Sequence, residues 1–272
     1  MPQVDPGSPG VEPGGRSPPV AFVTGSSSGL GRGLALRLAR EGWAVGLAAR
    51  RRDALEAVVA KIGTAGGRAA AFPCDVGERA SIQEAVARCA RALGPVELLV
   101  ANAGVSENTV VRSFDAAGVE AILRVNFLGA VYAVEAVLPA MLERGRGHLV
   151  AVGSLAGLGG LPLSAAYSAS KAALMDFFES LRMDLQDTGV AVTVIAPGYV
   201  RTPQTDRNAH PMPFLMDADE AVDRMLRAIR SRRRLAMFPW QLAWPRWIAQ
   251  VLPRGLYDRV IRRLRREKRP AP

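Results

Sequence analysis

The chain has 272 residues, 49% of them apolar and 22% charged, the make-up of a globular protein rather than a disordered one. Its net charge is +10, but from Arg224 onward fifteen Arg and Lys face only Asp258 and Glu267, a local balance of +13 that leaves −3 on the preceding 223 residues. The basicity therefore belongs to an appendage, and with no RNA- or DNA-binding motif beside it a nucleic-acid partner is not expected.

Residues 1–19 hold six prolines and four glycines with few apolar side chains, so they read as a disordered Pro/Gly-rich tail without the basic-then-apolar layout of a secretory signal. Val20–Val23 is a short apolar run closing in Thr24-Gly25, as a buried parallel strand does. Helical spacing from Leu34 to Arg40 leads to a second run, Ala44–Ala49, with further strand-like runs at Ala69–Phe72, Val96–Ala101, His148–Val152 and Val190–Ile195. Between them lie helical stretches at Ala54–Ile62, Ser81–Leu93, Ala116–Glu143 and Ala165–Thr188. This alternation predicts an α/β fold, a doubly wound parallel sheet with helices on both faces and ligands beyond the carboxyl ends of the strands. The body is expected over residues 20–232, with residues 233–272 as a C-terminal extension. No uninterrupted apolar run reaches the ~20 residues that span a bilayer. Cys74 and Cys89 are too few for a disulfide framework or a metal site, and are expected as reduced thiols in a cytoplasmic protein.

Thr24-Gly25-Ser26-Ser27-Ser28-Gly29-Leu30-Gly31 lies between the first strand and a helix, where a pyrophosphate needs close backbone approach and free N–H groups. Glycines at 25, 29 and 31 permit the turn, the approach and the helix packing. About 20 residues on, where a carboxylate would hold an NAD ribose, stands Arg50-Arg51-Arg52. A guanidinium pairs with a 2′-phosphate, so NADP(H) is the expected cofactor, with Arg50 as its main contact, and NAD(H) the alternative. A solvated basic helix start is the plainer reading of the same residues. Tyr167-Ser-Ala-Ser-Lys171 puts a phenol and an ammonium on one helix face. A nearby cation favours phenolate, so Lys171 is expected to lower the pKa of Tyr167.

Taken with Cys74-Asp75-Val76, Asn102-Ala103-Gly104, Asn126, Ser154 and Pro197-Gly198 in this order, the chain resembles the short-chain dehydrogenase/reductase family over roughly residues 20–230. Ser154 precedes Tyr167 by the thirteen residues usual in that family. The resemblance implies a Rossmann-type single domain and assigns roles residue by residue. Asn126, Ser154, Tyr167 and Lys171 would be catalytic. Tyr167 would exchange a proton with the substrate oxygen, Ser154 would hydrogen-bond that oxygen, and Lys171 would hold the nicotinamide ribose. Asn126 would hold a water linking Lys171 to solvent. Gly25, Ser27, Ser28, Gly29, Leu30 and Gly31 would bind the cofactor's phosphates, Asp75 and Val76 its adenine. Asn102, Ala103 and Gly104 would serve its adenosine ribose region, and Pro197, Gly198, Val200 and Thr202 its nicotinamide side. Two positions depart from the family pattern: Ala101 replaces an asparagine, and Gly153 stands where a serine often precedes Ser154. His148 is expected to be structural, and His210 has no partner with which to hold a metal.

The loop after Pro197-Gly198 includes Met212-Pro-Phe-Leu-Met216, which favours a small hydrophobic carbonyl or alcohol substrate, or else simply packs. A 3-oxoacyl-acyl-carrier-protein reductase-like activity and a catalytically silent NADP(H)-binding regulatory protein are the alternatives. The resemblance also implies a homodimer or homotetramer formed through the helices at Ala116–Glu143 and Ala165–Thr188, where Leu128, Val131 and Val134 would meet a second subunit or the sheet. Beyond Ile229 a basic cluster, Arg230–Arg234, precedes the aromatic and apolar stretch Leu235–Leu252 and the basic run Arg262–Arg269. This extension reads as a lid over the cleft, or as a segment making peripheral membrane contact.

Overall fold

The structure is a computed structural model that describes residues 17–207 and 211–244. Seven strands form one sheet in the order β3-β2-β1-β4-β5-β6-β7, and every neighbouring pair is parallel. The strands are β1 Val20–Thr24, β2 Ala44–Ala49, β3 Ala69–Pro73, β4 Val96–Ala101, β5 Gly147–Val152, β6 Val190–Pro197 and β7 Leu235–Phe238. Parallel strands are buried on both faces, which is why most read as unbroken apolar runs. Alternate residues face opposite layers: Val20 and Phe22 join one core and Ala21 and Val23 the other.

Helices α1 Gly29–Arg40, α2 Arg52–Thr64 and α7 Ala218–Arg230 cover one face of the sheet through Leu34, Leu38, Leu55, Ile62 and Met225. On the other lie α3 Arg79–Leu93, α5 Gly129–Glu143 and α6 Ala165–Asp184, packed through Cys89, Ala133, Met141 and Phe178. This is the expected doubly wound α/β arrangement. The strand order reverses between β1 and β4, whose carboxyl ends form the crevice where such sheets take their ligands.

Three features differ from the sequence reading. Residues 235–238, expected as the start of the extension, are the last strand of the sheet, paired with Val194–Pro197. The extended sheet buries Ala236 and Phe238, so hydrophobic burial extends the domain past residue 232. The expected single helix over 116–143 is α4 Ala116–Leu123 and α5, joined by a π-helical turn at Arg124–Leu128. By length and apolarity this run would suffice to cross a bilayer, yet Ile122, Ala133, Val134, Val137 and Met141 are buried in the domain. Val134 thus faces the core, while Leu128 and Val131 are half-buried. His148 lies buried in β5 and shares a 2.8 Å hydrogen bond between Nε2 and Thr193 Oγ1, with burial lowering its pKa to about 4. Cys74 and Cys89 are both free thiols, buried in the core.

Candidate active site

The site grows from the ends of β1 and β4. Thr24 Oγ1 accepts hydrogen bonds from the backbone N–H groups of Asn102 and Ala103, each at 3.0 Å, and donates to Val100 O at 3.3 Å. Asn102 Nδ2 returns a bond to Thr24 O at 2.9 Å. These bonds pin the two strand ends together, and the glycine turn is built against them. Gly25 has φ +67° and a Cβ there would lie 2.8 Å from Ala103 Cα. At Gly31 a Cβ would lie 2.4 Å from Asn102 Nδ2 and 2.5 Å from Gly25 O, so neither position admits a side chain. Ser28 precedes α1 in extended conformation and makes no side-chain cap bond, leaving the first N–H groups of the helix to another acceptor. Such a turn, closed to side chains and rimmed by N–H donors, fits a pyrophosphate.

Some of the expected cofactor residues do structural work. The Asn102 amide is spent on the glycine turn rather than turned to the crevice. Val76 is buried against Gly129, where a Cβ would come within 2.9 Å of its Cγ2. Asp75 Oδ1 accepts from Gly77 N at 2.9 Å, and Gly104, early in the loop after β4, borders Asn126 and Lys171. At the end of β2, Arg50 is exposed. Its neighbour Arg51, which the sequence reading did not single out, donates from a guanidinium nitrogen to Ser27 Oγ at 3.1 Å. Arg52 is drawn away to Glu56. The arginine run gave no hint of this division, because it depends on the turn from β2 into α2.

Four elements bring the remaining groups together. Ser154 follows β5 and caps a short 3₁₀ turn, its Oγ accepting from Ala156 N at 3.1 Å. The same hydroxyl lies close enough to the phenol of Tyr167 on α6 to favour its charged form. Gly157 permits this approach, for a Cβ there would stand 2.9 Å from the α6 backbone at Ala172 N. One turn along α6, Lys171 is 4% exposed, donates from Nζ to Val152 O at 2.9 Å and lies 6.0 Å from the Tyr167 ring centroid. Asn126 sits in the π turn, as residues at functional sites often do, and is 1% exposed. Its amide makes a pair of hydrogen bonds with Val105, accepting from N at 2.7 Å and donating to O at 2.9 Å. It also donates to Ser170 Oγ, which donates to Tyr167 O. The Asn126 amide is therefore committed to the β4 loop and α6. A Cβ on Gly104 would sit 3.3 Å from both Asn126 Oδ1 and Lys171 Nζ, so this glycine keeps open the space between them.

The electrostatics reverse one expectation. Burial pushes the Tyr167 phenol above its ordinary value, the Ser154 hydrogen bond pulling weakly the other way, and it lowers Lys171 from 10.5 to about 8. Each charged form loses solvation on folding, and that loss sets the direction of both shifts. The pocket holds a neutral phenol ready to give a proton, beside an ammonium at the edge of its titration. A folded pKa below the unfolded one means the ammonium costs stability fully below pH 8, and the cost is relieved as pH rises from about 8 toward 10.5. It is roughly 3 kcal/mol at neutral pH, against about 1 kcal/mol from the bond to Val152. Lys171→Met should therefore stabilise the fold by about 2 kcal/mol in urea unfolding at pH 7, the gain fading above pH 8, while turnover is lost. A lower urea midpoint at pH 7 would contradict this.

The loops after β6 and β7 complete the rim. Gly198 N donates to Phe238 O at 2.7 Å, and a Cβ on Gly198 would lie within 3.3 Å of Pro239, Leu242 and Leu155. Val200 bridges to Met216, closing the neck of the loop between them, and Thr202 lies against Gly29. Of the apolar run Met212–Met216, Met216 is buried in the core whereas Phe214 is exposed. His210 lies outside the described residues.

Comparison with known proteins agrees with this geometry. The family model for short chain dehydrogenases matches residues 19–212. A Myxococcus xanthus protein named as an uncharacterized oxidoreductase is 47% identical over 90% of this chain and 97% of its own length. The ketoacyl reductase HetN of Nostoc is 36% identical over 66% of this chain and 62% of its own. A Mycobacterium tuberculosis protein likewise named as an uncharacterized oxidoreductase is 31% identical over 82% of this chain and 88% of its own.

Proposed function

The chain belongs to the short-chain dehydrogenase/reductase family, and from that premise we propose that it is an NADP(H)-dependent oxidoreductase interconverting a carbonyl and an alcohol on a small hydrophobic molecule. The observation that carries this reading is the convergence of Ser154, Tyr167 and Lys171 after β5 and on α6, on a chain whose glycine turn after β1 admits no side chain.

The nicotinamide, when bound, supplies or accepts hydride at the substrate carbon. In the reductive direction Tyr167 Oη gives its proton to the carbonyl oxygen, a task for which its raised pKa keeps it protonated. Ser154 Oγ donates to the same oxygen and stabilises the charge that develops there. The Lys171 ammonium then faces the phenolate left behind and favours it. Asn126 acts by position: its bonds to Val105 and Ser170 hold the β4 loop and α6 at the spacing that leaves Lys171 room. Gly25, Ser27, Ser28, Gly29, Leu30 and Gly31 would hold the phosphates, and Arg50 and Arg51 the 2′-phosphate. Thr202, beside Gly29, would close the nicotinamide side with Pro197, Gly198 and Val200.

A 3-oxoacyl thioester substrate is the second reading, favoured by the ketoacyl reductase among the similar proteins. A silent cofactor-binding role fits less well, because Ser154, Tyr167, Lys171 and Asn126 are all present and all converge. Self-association is proposed through the half-buried apolar positions Leu128 and Val131, at the end of the π turn and on α5. A panel of hydrophobic ketones and an acetoacetyl thioester, assayed with NADPH and NADH, tests the reading. Ketone-dependent oxidation of NADPH is expected; binding of NADPH without oxidation by any member would favour the silent alternative.

A further inference from the structure

All seven strands run the same way, so the loops after β4, β5, β6 and β7 open at one edge of the sheet, the edge that carries the active site. That edge is unusually apolar on its outer surface. Val111 and Phe114 follow β4, Leu163 follows β5, Phe214 follows β6, and Trp240 and Trp244 follow β7, with exposures from 37% to 83%. At the opposite edge, among the described residues, the exposed large apolar side chains are Leu142, Met183 and Leu235. The two edges therefore differ in kind, and scattered exposed apolar residues on an ordinary surface show no such bias. Trp240 is anchored there by the turn it begins: Leu242 packs beside Gly198 and Leu155, and Ala243 is buried in the core.

In the sequence, 28 residues follow Trp244. They carry nine Arg and Lys against Asp258 and Glu267, together with Trp247, Ile248, Val251 and Leu252. The body itself sums to −3 up to residue 223, so it offers this segment no large opposite charge. An acidic surface outside the protein does. We propose that the active-site edge is a docking surface for an anionic lipid bilayer, in which the exposed aromatic residues enter the headgroup region and the basic C-terminal run pairs with the lipid phosphates. Docked in this way, the mouth of the site faces the bilayer, and an apolar substrate enters from the lipid phase.

The test is vesicle co-sedimentation of the full-length protein, read alongside tryptophan emission. The protein should sediment with vesicles of phosphatidylcholine and phosphatidylglycerol, with its emission shifted to the blue, and should not sediment with phosphatidylcholine alone. High salt should release it. W240S/W244S should weaken partitioning roughly tenfold. Replacing Arg262, Arg263, Arg265 and Arg266 by Gln should weaken it on the order of a thousandfold. NADPH binding and the thermal melt of each variant establish that it is folded, so failure to dock is separable from failure to fold and from any fault in the assigned reaction. Several results would overturn the proposal: no sedimentation with anionic vesicles, equal sedimentation with neutral ones, or binding that survives both sets of substitutions. So would tryptophans already blue-shifted without lipid, as a segment folded back over the rim would make them. Self-association abolished by the tryptophan substitutions would assign the surface to a second copy instead.

Discussion

Tyr167→Phe should lower kcat by roughly a thousandfold, within the range that general acid catalysis contributes, while NADPH binding stays within about twofold of wild type. The substitution removes one hydroxyl and leaves the ring packed where it is. What it deletes is the phenol proton assigned to the substrate oxygen, which the far weaker acid Ser154 would not replace. The neighbouring groups are unchanged: Lys171 keeps its bond to Val152 and Asn126 its bonds to Val105 and Ser170. A selective loss of kcat therefore isolates proton transfer from binding. Retention of more than a few per cent of wild-type kcat would contradict the assigned role.

The second large effect concerns the cofactor. Arg51 reaches the glycine turn at Ser27, and Arg50 stands exposed at the end of β2. Together they offer two guanidinium forks where a 2′-phosphate would lie, and a carboxylate in their place would repel it. R50D/R51D should weaken NADPH by on the order of a hundredfold and leave NADH nearly unaffected. The single Arg50→Asp change should act in the same direction with smaller size. Titrating both cofactors by nicotinamide fluorescence, at fixed and low salt, measures this. Equal changes for the two would remove the support for NADP(H).

Much of this was legible in the sequence because buried parallel strands write themselves as apolar runs, and glycines mark the turns that follow. What escaped was set by contacts distant along the chain. Leu235–Phe238 is only four residues, flanked by Arg232-Arg233-Arg234 and by Pro239-Trp240, and only its pairing with β6 makes it a strand. The π turn at Arg124–Leu128 depends on bonds from Asn126 to residues 21 and 44 positions away, which no local periodicity encodes. The Tyr167–Lys171 spacing was readable, but the burial that raises the phenol's pKa and lowers that of Lys171 was not. Thr24 was visible beside the turn, yet its three bonds to the β4 end require both strands to be placed.

The central claim is that this site moves hydride between nicotinamide and a carbonyl carbon while Tyr167 supplies the proton. It is tested most directly with NADPH deuterated at the transferable position, a ketone that supports turnover, and mass analysis of the alcohol formed. The deuterium should appear at the carbinol carbon with the wild-type protein, and product should nearly vanish with Tyr167→Phe although that variant still binds NADPH. Unlabelled alcohol from the wild type, or labelled alcohol formed equally well by both proteins, would contradict it.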